Sequence, residues 1–292
     1  MNSDYGKLQL RMKRSHKLPA LPANVVRLIN AIDHGEASAL DLEKIIASDS
    51  SIAAKVLSAT NFMAPQLAQS PHSTLRSAIL VVGQRAIRSI ATSLMMTHFV
   101  GARNEDHTEQ LGRVSRHCLA TGLLSRYVFA RMQRDEPFES ELQADELFAA
   151  GVLHDLGLGL LSVLDPESFE RTYFLAEKMS STLDVAFRRL FEGELTGLTI
   201  AAFEGYGLPH LYSSILESLW QPWKNKSEFR TVCAVSYAHW LAGELGFRAE
   251  FWECHAELEP EVQVTVSLSE EEIALLQPAL EQQVESYLSI AA

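Results

Sequence analysis

The sequence predicts an all-α, multi-helix protein, and three observations carry the prediction. Across the first hundred residues no stretch sustains the period-two alternation of a half-buried strand. Apolar residues recur instead at three- and four-residue spacing, as in Val25, Leu28, Ile29 and Ile32. Proline, glycine and capping residues then cut the chain into pieces of helical length. One short strand, Val262 to Val266, is the exception expected later in the chain.

Residues 1–17 read as a flexible leader, mobile or weakly helical, in which RMKRSHK is a solvated basic run. Leu18-Pro19-Ala20-Leu21-Pro22 is an extended entry, because each proline disfavours helix in the residue before it. Helices are expected over Asn24 to Asp33 and Leu40 to Ala47, and from a cap at Asp49 or Ser50 to about Asn61. Ser73 or Thr74 caps the next, which stops near Gly83, and Gln84 to Val100 forms a long apolar helix. The polar link Gly101 to His107 is the expected boundary between an N-terminal helical part (18–103) and a helical core (104–246). In that core, helices are expected over 111–132, 144–160, about 158–164, 167–180, 182–192, 195–203, 210–219 and 228–246. Residues 247–292 form a C-terminal extension, ending in a helix started by the capping box Ser269 to Glu272.

Composition narrows the function. The 292 residues are 47% hydrophobic, enough for a real core. The net charge of −12 is uneven: residues 1–103 hold 12 basic and 6 acidic side chains, and residues 104–292 hold 13 and 31. The two parts should attract each other. Overall acidity argues against a dedicated nucleic-acid binder. The apolar run near Ile90 to Val100 is interrupted by polar residues and too short to span a bilayer, so no membrane role is expected. Three scattered cysteines without a Cys-x-x-Cys pair, and no leading apolar block, point to a reduced, cytoplasmic protein.

The stretch ADELFAAGVLHDLGLGL, Ala144 to Leu160, is apolar on nearly every side yet holds His154 and Asp155 together. Buried polar groups need partners. Gly157 suits a left-handed helix cap, which would put the pair in the helix's last turn, among carbonyls that favour a cation or a donor. On the 111–132 helix, His117 shares a face with Val114, Thr121, Leu124 and Val128; on the 228–246 helix, His239 shares one with Val232, Val235, Ser236 and Ala242. Three helices thus offer inward histidines, one beside an aspartate. Such a set can hold one divalent transition metal ion. Asp155 pairing with His117 in a buried structural network is the other reading.

With these residues in view, the chain resembles the HDOD family, a regulatory relative of HD-type metal-dependent phosphohydrolases. The resemblance spans about residues 15–245. It rests on Leu18 to Pro22, on LEKIIASDSSIAAKVLSATN (Leu42 to Asn61) and on SAILVVGQRAIRSI (Ser77 to Ile90). RHCLATG (Arg116 to Gly122), GVLHDLG (Gly151 to Gly157) and Tyr206-Gly207-Leu208-Pro209 complete the order. It implies an all-α HDOD fold, an N-terminal helical part packed on an HD-like core, and a bacterial signalling role through contacts with other signalling proteins, usually without catalysis. It also implies a ligand set of the form His, His-Asp, Asp, matched by His117, His154 and Asp155; the last position reads His239 and loses a charge. Residues 192–195 read Glu-Gly-Glu-Leu and residues 219–222 read Leu-Trp-Gln-Pro where relatives carry further histidines, so a two-metal phosphodiesterase is not expected. The alternatives are a mononuclear phosphohydrolase acting on a nucleotide and a nucleotide-sensing pocket without chemistry.

Overall fold

Proline at the first turn and side-chain caps start several of the helices, as these residue types dictate. Asp165 accepts from the Ser168 N–H ahead of Pro166, and Ser38 and Asp41 form a reciprocal capping box. The protein is described from a computed structural model over residues 4–14, 23–33, 37–48, 52–53, 56–57, 75–101, 107–206, 211–252 and 257–291. Those residues hold fourteen α-helices and no strand. The Leu18 to Pro22 entry, the caps near residues 49 and 73, and the Gly207-Leu208-Pro209 turn lie outside the described residues.

Helices α2 (Ala23–Asp33), α3 (Ala39–Ala47) and α4 (Leu75–Gly101) share one hydrophobic cluster of Val25, Leu28, Ile29, Leu42, Ile46, Ile79, Ile87 and their neighbours. Gly83 divides α4 with φ +79°, a left-handed conformation that glycine adopts at little cost. A second, larger cluster joins α5 (Thr108–Asp135), α6 (Ala144–Leu153), α7 (Leu156–Leu164), α8 (Pro166–Met179), α9 (Leu183–Phe191), α10 (Leu195–Tyr206), α11 (Leu211–Glu217) and α12 (Phe229–Glu244). The two parts meet where α4 lies along α6. At that seam buried Arg88 reaches Glu146 at 3.5 Å and covers the Tyr212 ring.

Three expectations are corrected. Asp4–Lys13 of the expected leader form α1, which buries Leu8 and Met12 in the larger cluster. Its basic residues pair across the charge divide, Arg11 with Asp165 and Lys13 with Glu204. A ten-residue helix with two apolar anchors gives little signal in sequence, and its docking, chiefly on α10, stabilises it. Val262 to Val266 is not a strand: Pro260–Thr265 form α13, with Pro260 in the first turn. Its alternating valines mimic a strand, but only Val262 and Val266, four apart, are buried, while Val264 is 86% exposed. Gly157 does not cap a helix; it lies inside α7, as described below.

The last helix, α14 (Glu270–Ala291), starts at the Ser269–Glu272 capping box and seats Leu280, Val284 and Tyr287 in the larger cluster. Arg131 of α5 holds Glu272 at 2.8 Å. Residues 144–164 are the one stretch among those described that is long and apolar enough to cross a membrane, and 89% of its apolar window is buried within the protein.

Candidate metal centre

Two glycines set the distance between the helices that carry the first two histidines. Where α5 crosses α6, a Cβ on Gly151 would lie 2.7 Å from the Gly122 Cα, and one on Gly122 would lie 2.7 Å from the Phe148 carbonyl oxygen. Only hydrogen at both positions permits this approach. It brings His117, on α5, alongside His154, at the end of α6.

The helix breaks at His154 and Asp155, and a side chain from α10 repairs the break. Thr199 Oγ1 donates to the His154 carbonyl at 2.8 Å and accepts from the Gly157 N–H at 2.9 Å. Gly157 is required because α10 comes so close: a Cβ there would be 2.6 Å from the Thr199 nitrogen. The His-Asp pair therefore sits between α6 and α7, with Asp155 at the N-terminal end of α7 and not in a helix's last turn.

Helix α12 supplies His239, and its C-terminal cap supports His117. Gly246, at φ +88°, donates to the Gly243 carbonyl, and Phe247 N–H donates to Ala242, the two bonds of a Schellman cap. The Phe247 carbonyl then lies 2.8 Å from His117 Nδ1. His154 Nδ1 lies 2.6 Å from the Gly151 carbonyl. A carbonyl can only accept, so both rings carry hydrogen on Nδ1 and present Nε2, the tautomer of metal-ligating histidines whose other nitrogen is held by the protein.

The three rings converge, with centroids 5.1 Å apart for His117 and His154, 4.7 Å for His117 and His239, and 5.2 Å for His154 and His239. One ring nitrogen from each lies within 4.8 Å of the others. His154 Nε2 is fully buried and has no hydrogen-bond partner, although Asp155 Oδ2 is 3.1 Å away. An orphaned buried nitrogen among three imidazoles and a carboxylate fits a divalent ion. All four residues expected from sequence are brought together.

Electrostatics agree for His117 and His239, whereas without an ion His154 is drawn toward its charged form. Burial, then His154, pushes His117 down to about 4, and burial with the other two rings pushes His239 well below the usual range, so both are neutral near pH 7. Burial works to raise Asp155, but His154, His117 and His239 hold it below its ordinary value. Burial would lower His154, yet Asp155 and Cys118 lift it.

Two nearby residues escaped the sequence reading. Cys118 is buried, and its sulfur lies within 4.8 Å of the ligand atoms of His154 and Asp155. Arg248 lines a cavity of about 40 Å³, room for about two waters, together with His117, Asp155, His239 and Glu250. Arg248 is brought there by the Gly246 turn, a glycine signal that was legible at the end of the helix. Trp220 packs edge-on against His239 at 4.9 Å, and Leu219 is buried, so apolar side chains stand on that side, beside a groove of about 560 Å³ that they and His239 line.

The HDOD domain matches residues 18–222. The chain belongs to the HDOD family. Solved structures share the fold across nearly the whole HDOD chain. A presumed metal-dependent phosphohydrolase from Shewanella amazonensis SB2B is 20% identical, with 99% of this chain and 98% of that one covered at TM-score 0.68. An HDOD domain protein of unknown function from Geobacter sulfurreducens is 16% identical, with 98% of each chain covered at TM-score 0.68. A signal transduction protein, so presumed, from Marinobacter aquaeolei VT8 is 18% identical, covering 94% of this chain and 59% of that one at TM-score 0.64. No curated protein matches the chain.

Proposed function

We propose that this HDOD protein is a cytoplasmic signal-transduction module that works through contacts with other signalling proteins and retains one divalent transition metal ion as a structural element. The observation that carries the metal reading is the convergence of His117, His154 and His239, two of them with Nδ1 tied to a backbone carbonyl. Asp155 completes the set. An ion held there would be a Lewis acid able to polarise a phosphoester or a water molecule. The surrounding residues favour a structural use. Trp220 packs against His239, and the cavity that His117, Asp155 and His239 line together holds only about 40 Å³. Contacts with partners fall to the N-terminal part, where Leu40 and Leu80 stand exposed on α3 and α4.

Elemental analysis of protein purified without chelators, beside His154→Ala, tests the reading. One equivalent of a transition metal, lost in the variant, supports it. No metal in either protein would make the cluster a hydrogen-bonded network, and rapid turnover of any phosphoester would remove the non-catalytic role.

One observation favours a mononuclear phosphohydrolase as the second reading: Arg248 shares the small cavity with His117, Asp155 and His239, where a guanidinium could hold phosphate. In that case His154→Ala and Arg248→Ala both abolish turnover. A nucleotide-sensing pocket has less support. The adjoining groove of about 560 Å³ carries Glu194, Glu217, Glu257 and Glu259 against Arg188 and Lys224, a balance that repels phosphate.

A further inference from the structure

The set His117, His154, Asp155 and His239 carries one negative charge, against two positive charges on a divalent ion. In a site this buried, an uncompensated charge is costly. A second anion would balance that charge, and the structure offers one. Cys118 follows His117 on α5, is 0% exposed, and places its sulfur within 4.8 Å of ligand atoms of His154 and Asp155. The sulfur also faces the Asp155 backbone N–H, a donor of the kind that supports metal-bound ligands from outside. Asp184 and Glu250 line the adjoining cavity, but neither joins a group at ligand distance, and Glu250 is already engaged by the Leu183 N–H at 2.9 Å.

The trio Cys118, His154, Asp155 and the trio of histidines share His154. That ring has one nitrogen to offer, because Nδ1 is committed to the Gly151 carbonyl. An ion in either trio therefore sits on that one nitrogen, with His117 and His239 on one side of it and Cys118 and Asp155 on the other, more candidate ligands than the four such an ion usually takes.

We propose that Cys118 is a thiolate ligand of this centre and makes it selective for zinc or another thiophilic divalent ion. The inference rests on the metal reading above and adds to it a ligand and an ion class. On binding, the Cys118 thiol gives its proton to solvent, and the sulfur lone pair forms the bond to the ion; nothing is oxidised or reduced. Thiolate and Asp155 carboxylate then balance the two charges of the ion, which restores the charge lost with His239. Soft sulfur ranks zinc and cobalt above magnesium and manganese. A full set of protein ligands also leaves no open position on a four-coordinate ion, as in structural zinc sites.

Cobalt(II) substitution tests this in the full-length protein, with bound cobalt counted by elemental analysis. The expected result is one cobalt per chain with a near-ultraviolet thiolate-to-cobalt charge-transfer band. The band persists in Cys233→Ser and Cys254→Ser and vanishes in Cys118→Ser, whose zinc affinity falls by more than about tenfold, the least lost when groups that only support ligands are removed. Cys118→Asp keeps the charge and binds cobalt without the band. Cobalt bound at one equivalent without the band in the unsubstituted protein overturns the Cys118 assignment and leaves the histidine site standing. No cobalt or zinc bound at all overturns both. If Cys118→Ser fails to fold, the band in the unsubstituted protein and in the other two cysteine variants still decides.

Discussion

Around α2, α3 and α4 the buried side chains described are valine, leucine, isoleucine and alanine with two polar ones, Arg88 and Thr92, whereas the core around α5 to α12 encloses many, among them His117, Thr121, Ser125, His154, Asp155 and Thr199. An aliphatic core needs only volume and patterning, so it tolerates exchange among similar residues. A core that buries polar groups must satisfy each of them, so single atoms matter. The second part meets that demand with close backbone approaches and side-chain bridges. The comparison teaches that the N-terminal part depends on apolar volume, and the HD-like part on holding a cluster of polar atoms in place.

The largest blow to that comparison is predicted at the glycine crossing. Gly151→Leu forces α5 and α6 apart and should cost about 3 kcal/mol or more, read by urea unfolding. Gly112→Ala on the same α5, where added volume meets nothing, should stabilise by up to about 1 kcal/mol. If both are neutral, the close approach is not what places His117 against His154.

Ile87→Ala removes a fully buried side chain from the aliphatic cluster and should cost about 2–5 kcal/mol. Amide exchange should quicken through α2 to α4 while α5 and α6 keep their protection. Equal loss of protection in both parts would show one cooperative unit and blunt the distinction.

Thr199→Val keeps the shape of the bridging side chain but leaves the His154 carbonyl and Gly157 N–H unsatisfied. A cost of about 1–3 kcal/mol is expected, with weaker ion uptake because the His-Asp break loses its brace. An unchanged melting temperature and unchanged ion affinity would show that the break holds itself.

The smallest effect is electrostatic and lies at the seam of α14 with α5. Arg131 and then the Ser269 N–H hold Glu272 down to about 2, from an ordinary 4.5. A carboxyl depressed by folding contributes stability that is present above its unfolded value and is lost as pH falls through its folded value. Glu272→Gln should therefore lose that contribution at pH 7, flatten the fall in stability between pH 4.5 and about 2, and converge with the unsubstituted protein at lower pH; an unaltered acid limb in thermal melts would mean the pair contributes nothing.

Much of the fold was legible because helical periodicity and caps are local. Leu42, Ile46 and their neighbours mark one face of a helix, and Ser269 with Glu272 marks the start of another. His117, His154, Asp155 and His239 were legible as inward-facing polar residues on apolar helices. Cys118 was not, because a buried thiol beside a histidine looks like any small core residue. Arg248 was not, because it follows the helix and enters the site only through the left-handed turn at Gly246. Val262, Val264 and Val266 misled because alternation is a pattern of side chains, and Pro260 had already started a helix.

The sequence by itself determined the helical architecture, the division of charge and the candidate ligands, since each follows from the order of residues along a few turns. Tertiary structure decided the rest: the docking of α1, the break between α6 and α7, the tautomers of His117 and His154, and the place of Cys118 among the ligand atoms. Those features depend on which backbone atoms from distant helices come within about 3 Å, the reach of a hydrogen bond, and no local pattern encodes that distance.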